Sequence, residues 1–167
     1  MMSGKWHLGV RAEDSPARHG FDQSFDLAQG GGNHFGTDLS QKPGDGGTTY
    51  WENGTRVSQL PAGFYSSDAY AAKLIDQLGR ADRGKPFFAY LTFTAPHWPL
   101  QAPAEDIARY RGRYDAGFEA LRAERLARQK QLGLIPADVA AHTLELPGGG
   151  TWASLAAEQK REQSRRM

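Results

Sequence analysis

No cysteine occurs among the 167 residues, which removes disulfides, thiolate zinc sites and cysteine nucleophiles together. No apolar stretch approaches the roughly 20 residues of a membrane-spanning helix, and no charged start leading into an apolar segment resembles a signal peptide, so the sequence names no compartment. An excess of one charge is missing too. The 20 Lys and Arg stand against 19 Asp and Glu, a formal net charge of +1, and such a balanced field gives no reason to expect nucleic acid as a partner. The basic stretch at residues 160–166 contains Glu162 and no interleaved aromatics, and reads as a solvated helix face.

Glycine and proline are plentiful instead, 20 and 9 respectively, which points to a fold with much of its chain in loops. The length suits one domain with its own core and is short for two. Residues 11–47 read as a glycine- and aspartate-rich meander, loosest at Gly30-Gly31-Gly32 and at Pro43-Gly44-Asp45-Gly46-Gly47; a loop this long is usually functional or poorly ordered. Asn53-Gly54, between Thr49-Tyr50-Trp51-Glu52 and Thr55-Arg56-Val57, predicts a β-hairpin with a type I′ turn.

Ala71, Leu74, Ile75 and Leu78 fall at i, i+3, i+4 and i+7, predicting a helix over residues 67–78 that buries this stripe, with Ser66 or Ser67 as cap and Gly79 as stop. After Pro86, the run Phe87-Phe88-Ala89-Tyr90-Leu91-Thr92-Phe93 has the continuous apolarity of a strand buried on both faces. Helix followed by buried strand argues for an α/β fold: parallel or mixed sheet strands, flanking helices, one hairpin and long loops. Pro96, Pro99 and Pro103 hold the chain extended beyond that strand. His97 is thereby placed in a stiff loop at the strand's carboxyl end, where open α/β sheets bind ligands. Residues 104–132 are consistent with one or two surface helices, Pro136 and Pro147-Gly148-Gly149-Gly150 punctuate the stretch beyond them, and a last helix begins near Ser154. Met1-Met2-Ser3 leaves little room for a strand before Gly4, and the last helix reaches Met167 with no glycine stop, so both ends read as cut.

Gly4-Lys5-Trp6-His7-Leu8-Gly9 sets a permanent cation and an imidazole two residues apart. On an extended backbone both side chains leave one face while Trp6 packs the other way. An ammonium holds a tetrahedral oxyanion as a point charge, and a neighbouring histidine can move a proton near neutral pH. Spacing by itself leaves a plainer alternative open, in which Lys5 is a solvated surface lysine and His7 a satisfied polar residue at a strand end.

Read with Ala95-Pro96-His97-Trp98-Pro99-Leu100-Gln101-Ala102-Pro103, this motif resembles the arylsulfatase family, the formylglycine-dependent sulfatases of the alkaline-phosphatase-like superfamily. Arg18-His19-Gly20-Phe21-Asp22, Gly32-Asn33-His34-Phe35 and Lys85-Pro86-Phe87-Phe88-Ala89-Tyr90 extend the likeness over nearly the whole chain. The resemblance implies a partial sulfatase catalytic domain over residues 1–167, truncated at both ends. It also implies hydrolysis of sulfate monoesters, the partner being a small-molecule or carbohydrate sulfate ester. By the same resemblance Lys5 contacts the sulfate and the activated nucleophile, and His7 hydrogen-bonds to that nucleophile and helps reverse the covalent sulfo-enzyme. His97 contacts the sulfate and protonates the leaving oxygen. His34, in the glycine-rich loop, is a weaker candidate to line the pocket, and His19 and His142 read as ordinary residues.

The family's formylglycine arises from cysteine, or in some members serine, in a short motif running through proline to arginine. Ser15-Pro16-Ala17-Arg18 has those residue types without the residue that separates Ser from Pro, and is set aside as a decoy. The family's divalent cation, commonly calcium, is held by paired aspartates and an Asp-Asn pair. Neither pair occurs here, and Asp14, Asp22, Asp26 and Asp38 are scattered, so no metal ligand is nominated. The resemblance therefore suggests that the isolated chain is inactive. Two alternatives stay open: a non-catalytic binder of sulfated ligands, and a phosphate or phosphonate monoesterase relative, because lysine and histidine hold either oxyanion.

Overall fold

The computed structural model describes residues 1–42, 45–142 and 150–167; the breakers Pro43-Gly44 and Pro147-Gly148-Gly149 lie outside the described residues. The chain forms two compact units, Met1–Pro103 and Ala104–Met167.

The first unit is a mixed sheet with one helix packed on it. In chain order its elements are β1 (Met2–Lys5), β2 (Ser24–Leu27), β3 (Tyr50–Glu52), β4 (Thr55–Arg56), α1 (Ser66–Gly79) and β5 (Tyr90–Thr92). The strand order is β4-β3-β2-β1-β5. β1 runs parallel to both β2 and β5, with Gly4 opposite Asp26 and Thr92, whereas β3 pairs antiparallel with β2 and β4. The carboxyl ends of β1, β2 and β5 therefore share one edge of the sheet. Gly4 is held at a φ of 123°, and a Cβ there would overlap the Thr92 carbonyl; only glycine lets β1 and β5 approach so closely.

The expected hairpin forms as β3 and β4, with Asn53 and Gly54 both at positive φ (52° and 78°), as a type I′ turn requires. Strand β2 falls inside the segment read from sequence as a loop. It is nevertheless buried throughout: Phe25 and Leu27 join Tyr50, Phe64 and Tyr70 in the core, and alternation sends Ser24 and Asp26 to the opposite face. β1 likewise begins at Met2, ahead of Gly4.

Helix α1 forms where the periodicity places it but buries a different stripe. Its buried residues are Ser66, Tyr70, Leu74 and Gln77, while Ile75 is 70% exposed and Leu78 also lies outside the core. The physical reason is that the Tyr70 hydroxyl has partners inside, Tyr50 Oη and Thr94 Oγ1, each at 3.3 Å, so a large aromatic can be buried without an orphaned polar group. Gln77 likewise donates to the Met2 carbonyl at 3.3 Å. Neither Ser66 nor Ser67 caps the helix; the cap position is Tyr65.

The 87–93 run is also corrected. Only Tyr90–Thr92 is strand, it lies at the sheet edge, and Phe87 and Phe88 are 65% and 68% exposed. Apolar continuity marks a segment that can be covered on both faces; pairing on one side only leaves it open.

The second unit contains α2 (Ala104–Arg109), α3 (Gly117–Gln131) and α4 (Ala157–Arg166). Its anchor is Trp152, whose ring meets Phe118 edge-on at 5.2 Å and lies over Gly117, where any Cβ would overlap the indole. Its backbone N–H donates to Glu119 Oε1 at 2.8 Å. Among the described residues no helix is long and apolar enough to cross a membrane.

Candidate active site

Three loops leave the shared carboxyl edge of β1, β2 and β5, and each carries part of the candidate site. Lys5 is the last residue of β1, and its carbonyl accepts the Thr92 hydroxyl at 2.7 Å. The pairing with β2's continuation persists two residues further, Trp6 N–H to Leu27 O at 2.9 Å and His7 N–H to Ala28 O at 3.2 Å. His7 then turns into the left-handed region at a φ of 60°. Its direction is set by this turn rather than by the alternation of an extended strand. Trp6 packs within the β1–β2 connection, its indole N–H donating to Asp14 O at 2.6 Å and its ring lying against His19 and Phe21.

The loop after β2 is the seat. A Cβ on Gly30 would stand 2.6 Å from His7 Nε2 and 2.8 Å from Nδ1, and one on Gly31 would stand 2.5 Å from His97 Nδ1 and 2.8 Å from Cε1. Consecutive glycines thus carry the two imidazoles, and the triplet read from sequence as looseness serves close approach. Lys5 ends the adjoining strand β1, two residues before His7.

His97 lies in the loop after β5. This loop turns rather than running extended, because the His97 N–H returns to Thr94 O at 2.9 Å. His97 Nδ1 lies 2.8 Å from the Trp98 carbonyl; a carbonyl only accepts, so Nδ1 carries the hydrogen and Nε2 faces outward with its lone pair or a second proton. Both His7 and His97 are exposed, as groups meeting a ligand must be.

Further residues support this arrangement, among them His34, the weaker pocket candidate, which is buried instead of lining an open pocket. His34, only 2% exposed, sits between the glycine loop and the His97 loop, and Gln101 and Ser66 bond to it. Asp38 closes the glycine loop by accepting from Asn33 N–H and Thr48 Oγ1, each at 2.9 Å. Asp14 pairs with Arg11 at 3.0 Å, and the Arg11 hydrogen bond holds its carboxyl below the usual range. Asp26 is fully buried on the far face of β2, and burial pushes it up to about 7. Among the described residues no three His, Asp or Glu side chains gather around one point. Asp14 and Asp38 are engaged in other bonds and Asp26 is buried on the far face of β2, so these residues do not make the divalent-cation site that the resemblance implies.

Two exposed imidazoles meet on consecutive glycines at the carboxyl edge of a mixed α/β sheet, the edge at which such sheets bind ligands. The chain belongs to the sulfatase family, whose sequence profile matches residues 1–161. It is 44% identical over 171 aligned residues to an uncharacterized sulfatase of Schizosaccharomyces pombe, covering 99% of this chain and 31% of that protein. It is 40% identical to an arylsulfatase of Klebsiella aerogenes, covering 96% of this chain and 34% of the other. The crystal structure of Ps i-CgsB in complex with k-i-k-neocarrahexaose is similar over 65% of this chain and 26% of that one, with a TM-score of 0.53 and 31% identity. The chain thus spans about a third of the length of these curated relatives.

Proposed function

We propose that this chain supplies the sulfate-holding part of a sulfuric ester hydrolase. Lys5 neutralises sulfate oxygens as a point charge, and His97 donates to the sulfate and delivers a proton to the departing alcohol or phenol oxygen. His7, on the neighbouring glycine, offers a hydrogen bond to the attacking group. The observation that supports this reading is the seating of His7 and His97 on Gly30 and Gly31, beside the strand end that carries Lys5. Positioned donors of this kind act on charge that grows as the ester bond breaks.

The group that attacks sulfur is not supplied by a cysteine of this chain, and among the described residues the acids do not assemble a cation site. Residues 1–167 are accordingly a central part of a longer catalytic domain, and by themselves bind sulfate without turnover. The likeness to the arylsulfatase supports a phenol ester as substrate; the neocarrahexaose bound by Ps i-CgsB supports a saccharide ester.

Calorimetry with inorganic sulfate and phosphate, together with a 4-nitrophenyl sulfate assay, tests this. Saturable sulfate binding that weakens in Lys5→Met and His97→Ala, without release of nitrophenol, is the expected result. Turnover by the chain alone would overturn the partial-site reading, and tighter binding of phosphate than sulfate would favour a phosphate or phosphonate monoesterase relative. Binding of neither anion would overturn the proposal. A longer chain that carries these residues and still fails to hydrolyse sulfate esters would favour a binder of sulfated ligands.

A further inference from the structure

We infer that His34 is a positioning residue that sets the tautomer and placement of His97. The inference rests on the role given to His97 above. His34 is 2% exposed and lies three residues after Gly31, so its ring is sealed beneath the loop that seats the two outer imidazoles.

Its bonds run in three directions. The backbone N–H of His34 donates to Gln101 Oε1 at 2.9 Å, which fastens the far end of the His97 loop. Its carbonyl accepts the N–H of Ser66 at 2.8 Å, and its Nδ1 lies 2.7 Å from the Ser66 hydroxyl, which fastens it to the first residue of α1. Its Nε2 faces the backbone carbonyl of His97 at 3.4 Å. That carbonyl can only accept, so Nε2 carries the hydrogen and Nδ1 is left to accept from Ser66.

The result is a bridge from α1 through a buried imidazole to the peptide of His97 itself. Fixing that peptide keeps the His97 ring over Gly31, where its Nδ1–H reaches Trp98 O and its Nε2 is presented outward. His34 touches no ligand in this scheme; it acts through His97, as the outer partners of a functional imidazole do in fixing ring orientation.

The test uses the 167-residue chain with 15N-labelled histidine, comparing the unsubstituted protein with His34→Leu, His34→Gln and Ser66→Ala. Two quantities are read: the nitrogen shifts that report the His97 tautomer without ligand, and the affinity for inorganic sulfate. The unsubstituted chain should show His97 protonated at Nδ1. In His34→Leu that preference should be lost and sulfate affinity should fall about tenfold, the scale of one net hydrogen bond. His34→Gln, which keeps a donor and an acceptor, should restore both readouts in large part, which a merely structural loss would not allow.

Should His34→Leu fail to fold, Ser66→Ala decides, since it keeps the imidazole and removes only its Nδ1 partner: a shifted His97 signal supports the inference. Unchanged His97 nitrogen signals in either folded variant would overturn it. Absence of sulfate binding by the unsubstituted chain would instead sink the proposed function and leave the tautomer readout intact, so the two failures are distinguishable.

Discussion

Replacing Asp26 by Asn should change how the stability of this chain depends on pH. Asp26 is fully buried, and neither carboxyl oxygen has a hydrogen-bond partner among the described residues. It stands opposite Gly4 and Trp51 in the sheet. Burial raises its pKa from an ordinary 3.8 to about 7, because a carboxylate removed from water without a partner loses its hydration. Folding therefore favours the protonated form. Below about pH 4 both folded and unfolded chains are protonated at this position and the stability is fully present; it is lost as pH rises toward the folded value near 7, and levels off above it. A gap of about three pH units amounts to roughly 4 kcal/mol, a large fraction of the usual 5–15 kcal/mol of a small domain.

Asn cannot ionise, so in Asp26→Asn this contribution is flat. Urea unfolding followed by tryptophan fluorescence and circular dichroism, at pH values from 4 to 8, gives the difference between the two proteins at each pH. Taking the difference cancels Asp14, whose lowered pKa works in the opposite sense by stabilising above its unfolded value and losing that stability in acid. The substituted chain should gain on the parent by up to about 4 kcal/mol between pH 4 and pH 7. A difference that stays constant across the range would refute the reasoning, for it would mean that the carboxyl is hydrated or paired.

Three further substitutions probe the site and its support. Gly31→Ala should push His97 from its seat and weaken sulfate binding about 10- to 100-fold, the scale of one charge-assisted hydrogen bond, with the far-ultraviolet circular dichroism unchanged; affinity equal to the parent's would show that His97 does not need the glycine. Gly4→Ala combines a positive φ with overlap on the Thr92 carbonyl and should cost about 2 kcal/mol or more in urea unfolding. A cost near zero would mean that β1 and β5 can separate freely. Tyr70→Phe breaks the hydroxyl chain from Tyr50 to Thr94 and should cost about 1 kcal/mol, measurable by the same unfolding experiment, whereas a gain in stability would show that those hydroxyls are strained rather than satisfied.

Features governed by local chemistry were legible in the amino-acid order. Asn53-Gly54 specifies its turn because two adjacent residues must both take positive φ, a condition settled within four residues. The existence of α1 comes from periodicity, and the resemblance picked out Lys5, His7 and His97 as the residues to watch. Packing between distant segments settled the rest. It buried the Tyr70 stripe of α1 because hydroxyl partners wait in the core, and it left Ile75 exposed. It recruited Ser-Phe-Asp-Leu at residues 24–27 as an inner strand, although so short a segment with two polar residues carries almost no strand signal. It also put the apolar 87–93 run at an edge. Most of all, parallel pairing of β1 with β2 and β5 brought three loops to one end of the sheet, so that residues more than sixty positions apart in the chain share a two-glycine seat. No local pattern encodes that meeting, because it depends on which strand ends become neighbours once the chain is folded.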